Sequence, residues 1–293
     1  MTAEIKKLFQ SNVELLELVD KAVIYFREQK YPEALEFMPD VSEKMRSVID
    51  GIIGDKEYFE LVSTDSLMEM LEGIVEASRC TDYVLLADLL ELQLSTLLCN
   101  VQELIMKKED YAFFSETMYQ EQCTAMIKKL AEGGTEHAEA LFETSLDPSE
   151  LLEQGYRVEV TSCGLMTVAV GTDRGSVYLH TNHKVGQEAF LLARSWIKEE
   201  TDTYFVKGFG MGYHVLELAK QAPEAKIKVF ESNGQMLKLA CAFSPLKRLL
   251  ENNQISICYD PEGTEWKKHV ENLQETEAVC LHMPTVQAES ALY

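Results

Sequence analysis

The chain has 293 residues, 46% of them hydrophobic and 26% charged, which is the balance of an ordinary globular protein and more length than one domain usually needs. Its formal net charge of −22 repels phosphate backbones and argues against nucleic-acid binding. No run approaches the roughly 20 apolar residues of a membrane span, and acids interrupt the first apolar stretch, so neither a span nor a signal peptide is expected and the cytoplasm is the expected location.

The acids are unevenly shared: residues 1–150 hold 31 of the 49 Asp and Glu but only 13 of the 27 Lys and Arg. That asymmetry points to two modules, an acidic helical bundle over residues 1–147 and an α/β domain over residues 148–293. The seven cysteines are scattered without a C-x-x-C pair, which fits buried free thiols and neither a disulfide framework nor a zinc ribbon.

Helix follows helix through the first half. Val13, Leu16, Val19, Val23 and Phe26 recur at steps of three or four and form one apolar stripe. The next segment starts at Pro32 and carries Leu35, Met38, Val41, Met45, Val48 and Ile52, with Pro39 expected to kink or divide it. A third helix opens at the cap candidates Ser63, Thr64 and Asp65. A long apolar run from Thr81 to Lys108 suits a central helix, and a further helix from Tyr111 stops at Gly133-Gly134. Such a bundle offers a surface for a protein partner.

The pattern changes after Asp147-Pro148. Residues 156–162, 165–172 and 177–181 alternate in strand fashion around the turn Asp173-Arg174-Gly175-Ser176, as in a small antiparallel unit. From Val185 onward helices alternate with the apolar runs 203–208, 226–232, 254–260 and 278–283. Strands separated by helices of that length imply right-handed crossovers and a short, Rossmann-like parallel sheet.

The first of those strands runs into YFVKGFGMGYHVLELAK, with glycines at 208, 210 and 212 and a helix starting at once. Glycine lets backbone N–H groups approach a ligand, and a helix start favours an anion. Glu231 closes the next strand, 23 positions after Gly208, where a carboxylate can accept from ribose hydroxyls, and Asp260 closes the third, within reach of a base edge. Gly208, Gly210, Gly212, Tyr213, His214, Glu231 and Asp260 are therefore the candidate cofactor-binding residues, with His180, Lys207 and His282 as possible ligand contacts. None of the six histidines forms an H-E-x-x-H pair, so no metal is expected, and no residue is marked as catalytic.

Two families share this pattern. The glycine spacing and the acid after the second strand resemble S-adenosylmethionine-dependent methyltransferases, in which an acid usually lies two places before the first glycine. Here Val206 stands there with Lys207 beside it, which suits a more anionic ligand such as a nucleotide phosphate. From about Tyr178 to Asn233 the chain also resembles the core of motility accessory factor (Maf) proteins and the related MptE-like pterin diphosphokinase domain. His180, Glu188, Ala189, Gly208, Gly210, Gly212, Tyr213, His214 and Glu231 stand at corresponding positions. That resemblance implies a nucleotide or nucleotide-sugar site and a role in flagellin or surface glycosylation. A divergent methyltransferase using S-adenosylmethionine and a non-catalytic adaptor remain the alternatives.

Overall fold

The computed structural model describes residues 2–109, 116–144, 146–173 and 175–291, and the start of the helix expected from Tyr111 lies outside them. The chain forms two compact units, Met1–Tyr111 with Ser162–Leu165, and Ala112–Thr161 with Met166–Tyr293.

The first unit is helical. Helix α1 (Ala3–Arg27), whose N-cap Thr2 accepts from Ile5 N–H, buries Leu16, Val19, Val23 and Phe26 of the expected stripe and half-buries Val13. Helix α2 (Tyr31–Gly54) runs unbroken through Pro39, against expectation; that residue is exposed, where water can hydrate the carbonyl left without its donor. Helix α3 (Thr64–Arg79) is capped by Ser63. The helical run Tyr83–Lys108 consists of α4 (Tyr83–Asp88), a π-helical segment (Leu89–Leu94) and α5 (Ser95–Lys108). It is long and apolar enough to cross a membrane, which the sequence reading did not anticipate. Within the unit it packs against α1 and buries Leu86, Leu90, Leu94, Leu98, Val101 and Ile105.

The second unit carries both sheets. After α6 (Glu116–Glu132), a 3-10 turn (Ala138–Phe142) and α7 (Pro148–Glu153, capped by Asp147), strands β1 (Tyr156–Val160), β2 (Met166–Thr172) and β3 (Gly175–Tyr178) form an antiparallel sheet in the order β1-β2-β3. Then come α8 (Val185–Trp196), β4 (Thr203–Lys207), α9 (Tyr213–Gln221), β5 (Lys226–Glu231), α10 (Gly234–Phe243), α11 (Lys247–Glu251), β6 (Ile255–Tyr259), α12 (Thr264–Glu271), β7 (Glu277–Leu281) and α13 (Met283–Ala291). The four later strands are parallel in the order β6-β5-β4-β7. An α/β layout with an all-α N-terminal region, a small antiparallel sheet and a short parallel sheet is thus what the protein has.

The parallel sheet is covered on both faces, as such sheets require. Tyr204, Val206, Ile227, Val229, Ile257 and Cys280 join the main core, while Phe205, Phe230 and Cys258 face the other side, against Trp266 of α12. Helix α6 belongs to this core through Cys123, Met126 and Leu130, although its place in the chain groups it with the acidic bundle. It also guards the edge strand β6. Thr135 Oγ1 accepts from Tyr259 N–H at 2.9 Å, and Lys129 Nζ donates to Asn252 O at 2.9 Å. A strand edge covered in this way cannot pair with another chain. Five cysteines are buried as expected, Cys99 is partly exposed and Cys80 is exposed.

Candidate functional site

Strand order β6-β5-β4-β7 places a topological switch between β4 and β7, and ligands of open α/β sheets sit outside the carboxyl ends of the strands. The glycine loop lies there, between Lys207 at the end of β4 and Tyr213 at the start of α9. Gly208, Gly210 and Gly212 have φ of +93°, +50° and +81°, backbone that side chains other than glycine's rarely permit.

Four of the loop's five backbone donors are used within the protein. Gly208 N–H donates to Phe230 O and Gly212 N–H to Phe209 O, both at 2.9 Å. Phe209 N–H donates to Glu231 Oε2 at 2.8 Å, and Met211 N–H to His180 Nε2 at 3.2 Å. The loop is also roofed over. A Cβ added at Gly208 would stand 2.8 Å from Thr285 Cβ, one at Gly210 3.1 Å from His180 Nε2, and one at Gly212 2.8 Å from Leu249 Cδ1. Side chains from the ends of β3 and β7 and from α11 and α13 occupy the space that a ligand on these glycines needs.

The remaining sequence candidates are engaged locally. Glu231 is fully buried; Oε1 accepts from Asn233 N–H and Oε2 from Phe209 N–H, both at 2.8 Å. Burial, and then the neighbouring Glu289, push its carboxyl up to about 8, against the backbone N–H bonds that favour the charged form. Asp260 caps the first turn of α12, its Oδ1 accepting from Thr264 N–H at 2.9 Å and its Oδ2 from Trp266 N–H at 2.8 Å. Tyr213 Oη donates to Met166 O at 2.9 Å and accepts from Met166 N–H at 3.2 Å, fixing α9 to β2. Lys207 Nζ lies 3.8 Å from Glu289 Oε2.

The three buried histidines His180, His214 and His282 meet beside the loop. His180 Nδ1 lies 3.3 Å from Glu188 Oε1, while Glu188 Oε2 accepts from Thr181 N–H at 2.7 Å. His214 Nε2 is 3.1 Å from Gly208 O, and His282 Nδ1 is 2.6 Å from Thr285 Oγ1. His214 and His282 stack with ring centres 4.1 Å apart and planes 8° apart. Burial, and then the neighbouring His180, hold His214 down at about 3; burial, His214 and His180 hold His282 well below the usual range.

Beyond β5 and β6 lies a cavity of about 650 Å³, within the size range of small-molecule sites. Tyr156, Asn233, Gln235, Lys238, Tyr259 and Glu289 line it. Asn233 caps α10 by accepting from Gln235 N–H at 3.0 Å, and its Nδ2 donates to Tyr156 Oη. Lys238 Nζ donates to Thr144 Oγ1 at 2.8 Å. Gln235 Oε1 and Glu289 Oε1 are buried without a hydrogen-bond partner. Sequence reasoning named none of these six residues. The one available signal was the position of Asn233 directly after the second parallel strand, inside the stretch that resembles Maf proteins.

Residues 4–104 match a family described as a domain of unknown function, DUF8042; the match spans most of the first unit and stops short of both sheets. No curated protein and no solved structure matches the chain.

Proposed function

We propose that the second unit is a Rossmann-like binding module for a nucleotide or nucleotide sugar, seated in the cavity beyond β5 and β6 rather than on the glycine loop. The observation that carries this reading is the cavity itself, whose lining includes Gln235 and Glu289, each with a buried side-chain oxygen, Gln235 Oε1 and Glu289 Oε1, that has no hydrogen-bond partner. Unpaired buried acceptors are costly, and rotation of either side chain into the cavity would let its oxygen accept from the hydroxyls of a ribose or a second sugar. Lys238 provides a cation for a phosphate, and Tyr156 and Tyr259 provide apolar ring surface. The likeness of Tyr178–Asn233 to the Maf and MptE-like core supports the same ligand class.

Thermal-shift titration of the full chain with ATP, GTP, UDP- and CMP-sugars and S-adenosylmethionine tests the proposal. A ligand at 100 times its Kd adds roughly 2.7 kcal/mol, a rise of about 5–10 °C for a unit of this size. The rise is expected to vanish in Lys238→Ala and to shrink in Gln235→Ala. No shift with any of these ligands refutes the module, and a shift unchanged in both variants refutes its placement. Preference for a sugar nucleotide over the plain nucleotide would connect the module to glycosylation, whereas a response to S-adenosylmethionine alone would favour a methyltransferase ancestry.

A further inference from the structure

The histidine cluster at the switch point is unused by that reading. One nitrogen from each of His180, His214 and His282 lies within 4.8 Å of one from each of the others, and all three residues are buried. The other ring nitrogen of each is anchored: His180 Nδ1 to Glu188, His214 Nε2 to the Gly208 carbonyl, and His282 Nδ1 to Thr285 Oγ1. A carboxylate, a carbonyl or a hydroxyl on the far nitrogen is how metal-binding histidines have their tautomer and orientation fixed. Of the remaining nitrogens, His214 Nδ1 and His282 Nε2 lack a hydrogen bond of good geometry, although the Leu179 backbone interacts with the His282 ring, and the third, His180 Nε2, accepts only a 3.2 Å bond from Met211 N–H.

We infer that His180, His214 and His282 form a binding site for a divalent first-row transition ion of the zinc class, held by three neutral imidazoles. Imidazole suits zinc, copper, iron and nickel, and three histidines leave a fourth position open. Gly210 keeps the space between the rings clear, since a Cβ there would lie 3.1 Å from His180 Nε2 and 3.2 Å from His282 Cε1.

Binding requires rearrangement of a definite kind. A metal lies in the plane of each ring that binds it, so the His214–His282 stack, with planes 8° apart, has to splay. With zinc–nitrogen bonds of about 2.0–2.1 Å, ligand nitrogens now within 4.8 Å of one another also have to close to roughly 3.3 Å.

The test uses the full chain stripped with a chelator and titrated calorimetrically with Zn²⁺ in nucleotide-free buffer, once as folded and once after refolding with metal, because the cluster is buried. One tightly bound equivalent per chain is expected in at least one arm, and Co²⁺ in its place should give the visible spectrum of a four-coordinate site. His214→Ala and His282→Ala are expected to abolish that equivalent. If either fails to fold, Thr285→Val decides: it removes the acceptor for His282 Nδ1 at little change in volume, and should weaken binding about 10–100-fold. No saturable equivalent in either arm, or an affinity unchanged in Thr285→Val and in those histidine variants that fold, overturns the site. Nucleotide shifts measured without metal leave the two readings separable.

Discussion

Gly133→Ala tests the placement of α6 against the parallel sheet. Gly133 follows the last residue of α6, and its φ is not among the positive ones, so alanine meets no backbone restriction there. A Cβ at this position would lie 1.9 Å from Ile257 O and 2.6 Å from Ile257 C. Both are backbone atoms of β6 and cannot rotate aside. Restoring even 3.0 Å demands that helix end and strand part by about 1 Å, and the Thr135–Tyr259 and Lys129–Asn252 hydrogen bonds hold them together on either side. Overpacking costs about 1–3 kcal/mol and a broken hydrogen bond about 1 kcal/mol more; the 1.9 Å approach to rigid backbone takes the top of that range, so roughly 4 kcal/mol is expected. At about 2–4 °C per kcal/mol, the unfolding midpoint falls by some 8–16 °C. Both tryptophans, Trp196 and Trp266, lie in the second unit, so tryptophan fluorescence reports on this unit alone. Gly134→Ala is the control: its φ is +92° but nothing lies within 4 Å, so only the backbone cost of about 1–2 kcal/mol applies. A Gly133→Ala protein no less stable than Gly134→Ala would refute the docking of α6 on β6.

Gly210→Ala should lower stability by about 2–3 kcal/mol without any ligand, because φ of +50° and the 3.1 Å approach to His180 Nε2 both oppose a Cβ; a loss under about 1 kcal/mol in urea unfolding would mean that the loop is open. Asp260→Ala removes the acceptor for Thr264 and Trp266 N–H and should cost about 1–2 kcal/mol while leaving nucleotide shifts intact, whereas loss of binding at unchanged stability would return Asp260 to the ligand. For Glu231, a folded carboxyl near 8 against 4.5 unfolded means that the folded chain keeps a proton the unfolded chain releases between those values, so this group's contribution to stability falls as pH rises from about 4.5 to 8, at most by about 1.4 kcal/mol per pH unit. Glu231→Gln should flatten that slope, as read from denaturant midpoints at pH 5 and pH 8, and an unchanged slope would show that Glu231 is ionised throughout.

Regular elements were legible because their causes are local. Tyr204, Phe205 and Val206 are apolar on both sides of β4, which a strand covered on two faces requires, and the sequence reading placed β4 through β7 with α9, α10 and α12 between them. The allegiance of α6 was not legible, since an apolar stripe of Cys123, Met126 and Leu130 says that a helix is buried without saying against what. Helices α11 and α13 were missed outright: α11 is a single short turn of five residues, and α13 packs its Thr285 over the glycine loop from far along the chain. The cavity was invisible for a related reason. Gln235 and Lys238 sit on an ordinary helix, and their neighbours Tyr156 and Glu289 come from the antiparallel sheet and the last helix.

The glycine pattern was read as giving a ligand access to backbone N–H groups, and in the structure Phe209 and Met211 N–H serve the protein's own contacts. Positive φ at Gly208, Gly210 and Gly212 lets the loop fold inward far enough for Phe209 N–H to reach Glu231 and Met211 N–H to reach His180. Glu231 divides its two oxygens between that loop and Asn233 N–H, and Asn233 in turn starts α10 and donates to Tyr156 at the cavity wall. The acid that the pattern assigns to a ribose therefore joins the loop to the cavity by two hydrogen bonds. A ligand that moved Asn233 would act on Glu231, and through it on Phe209 and the histidine cluster, so occupancy of the cavity and packing at the switch point are expected to be coupled.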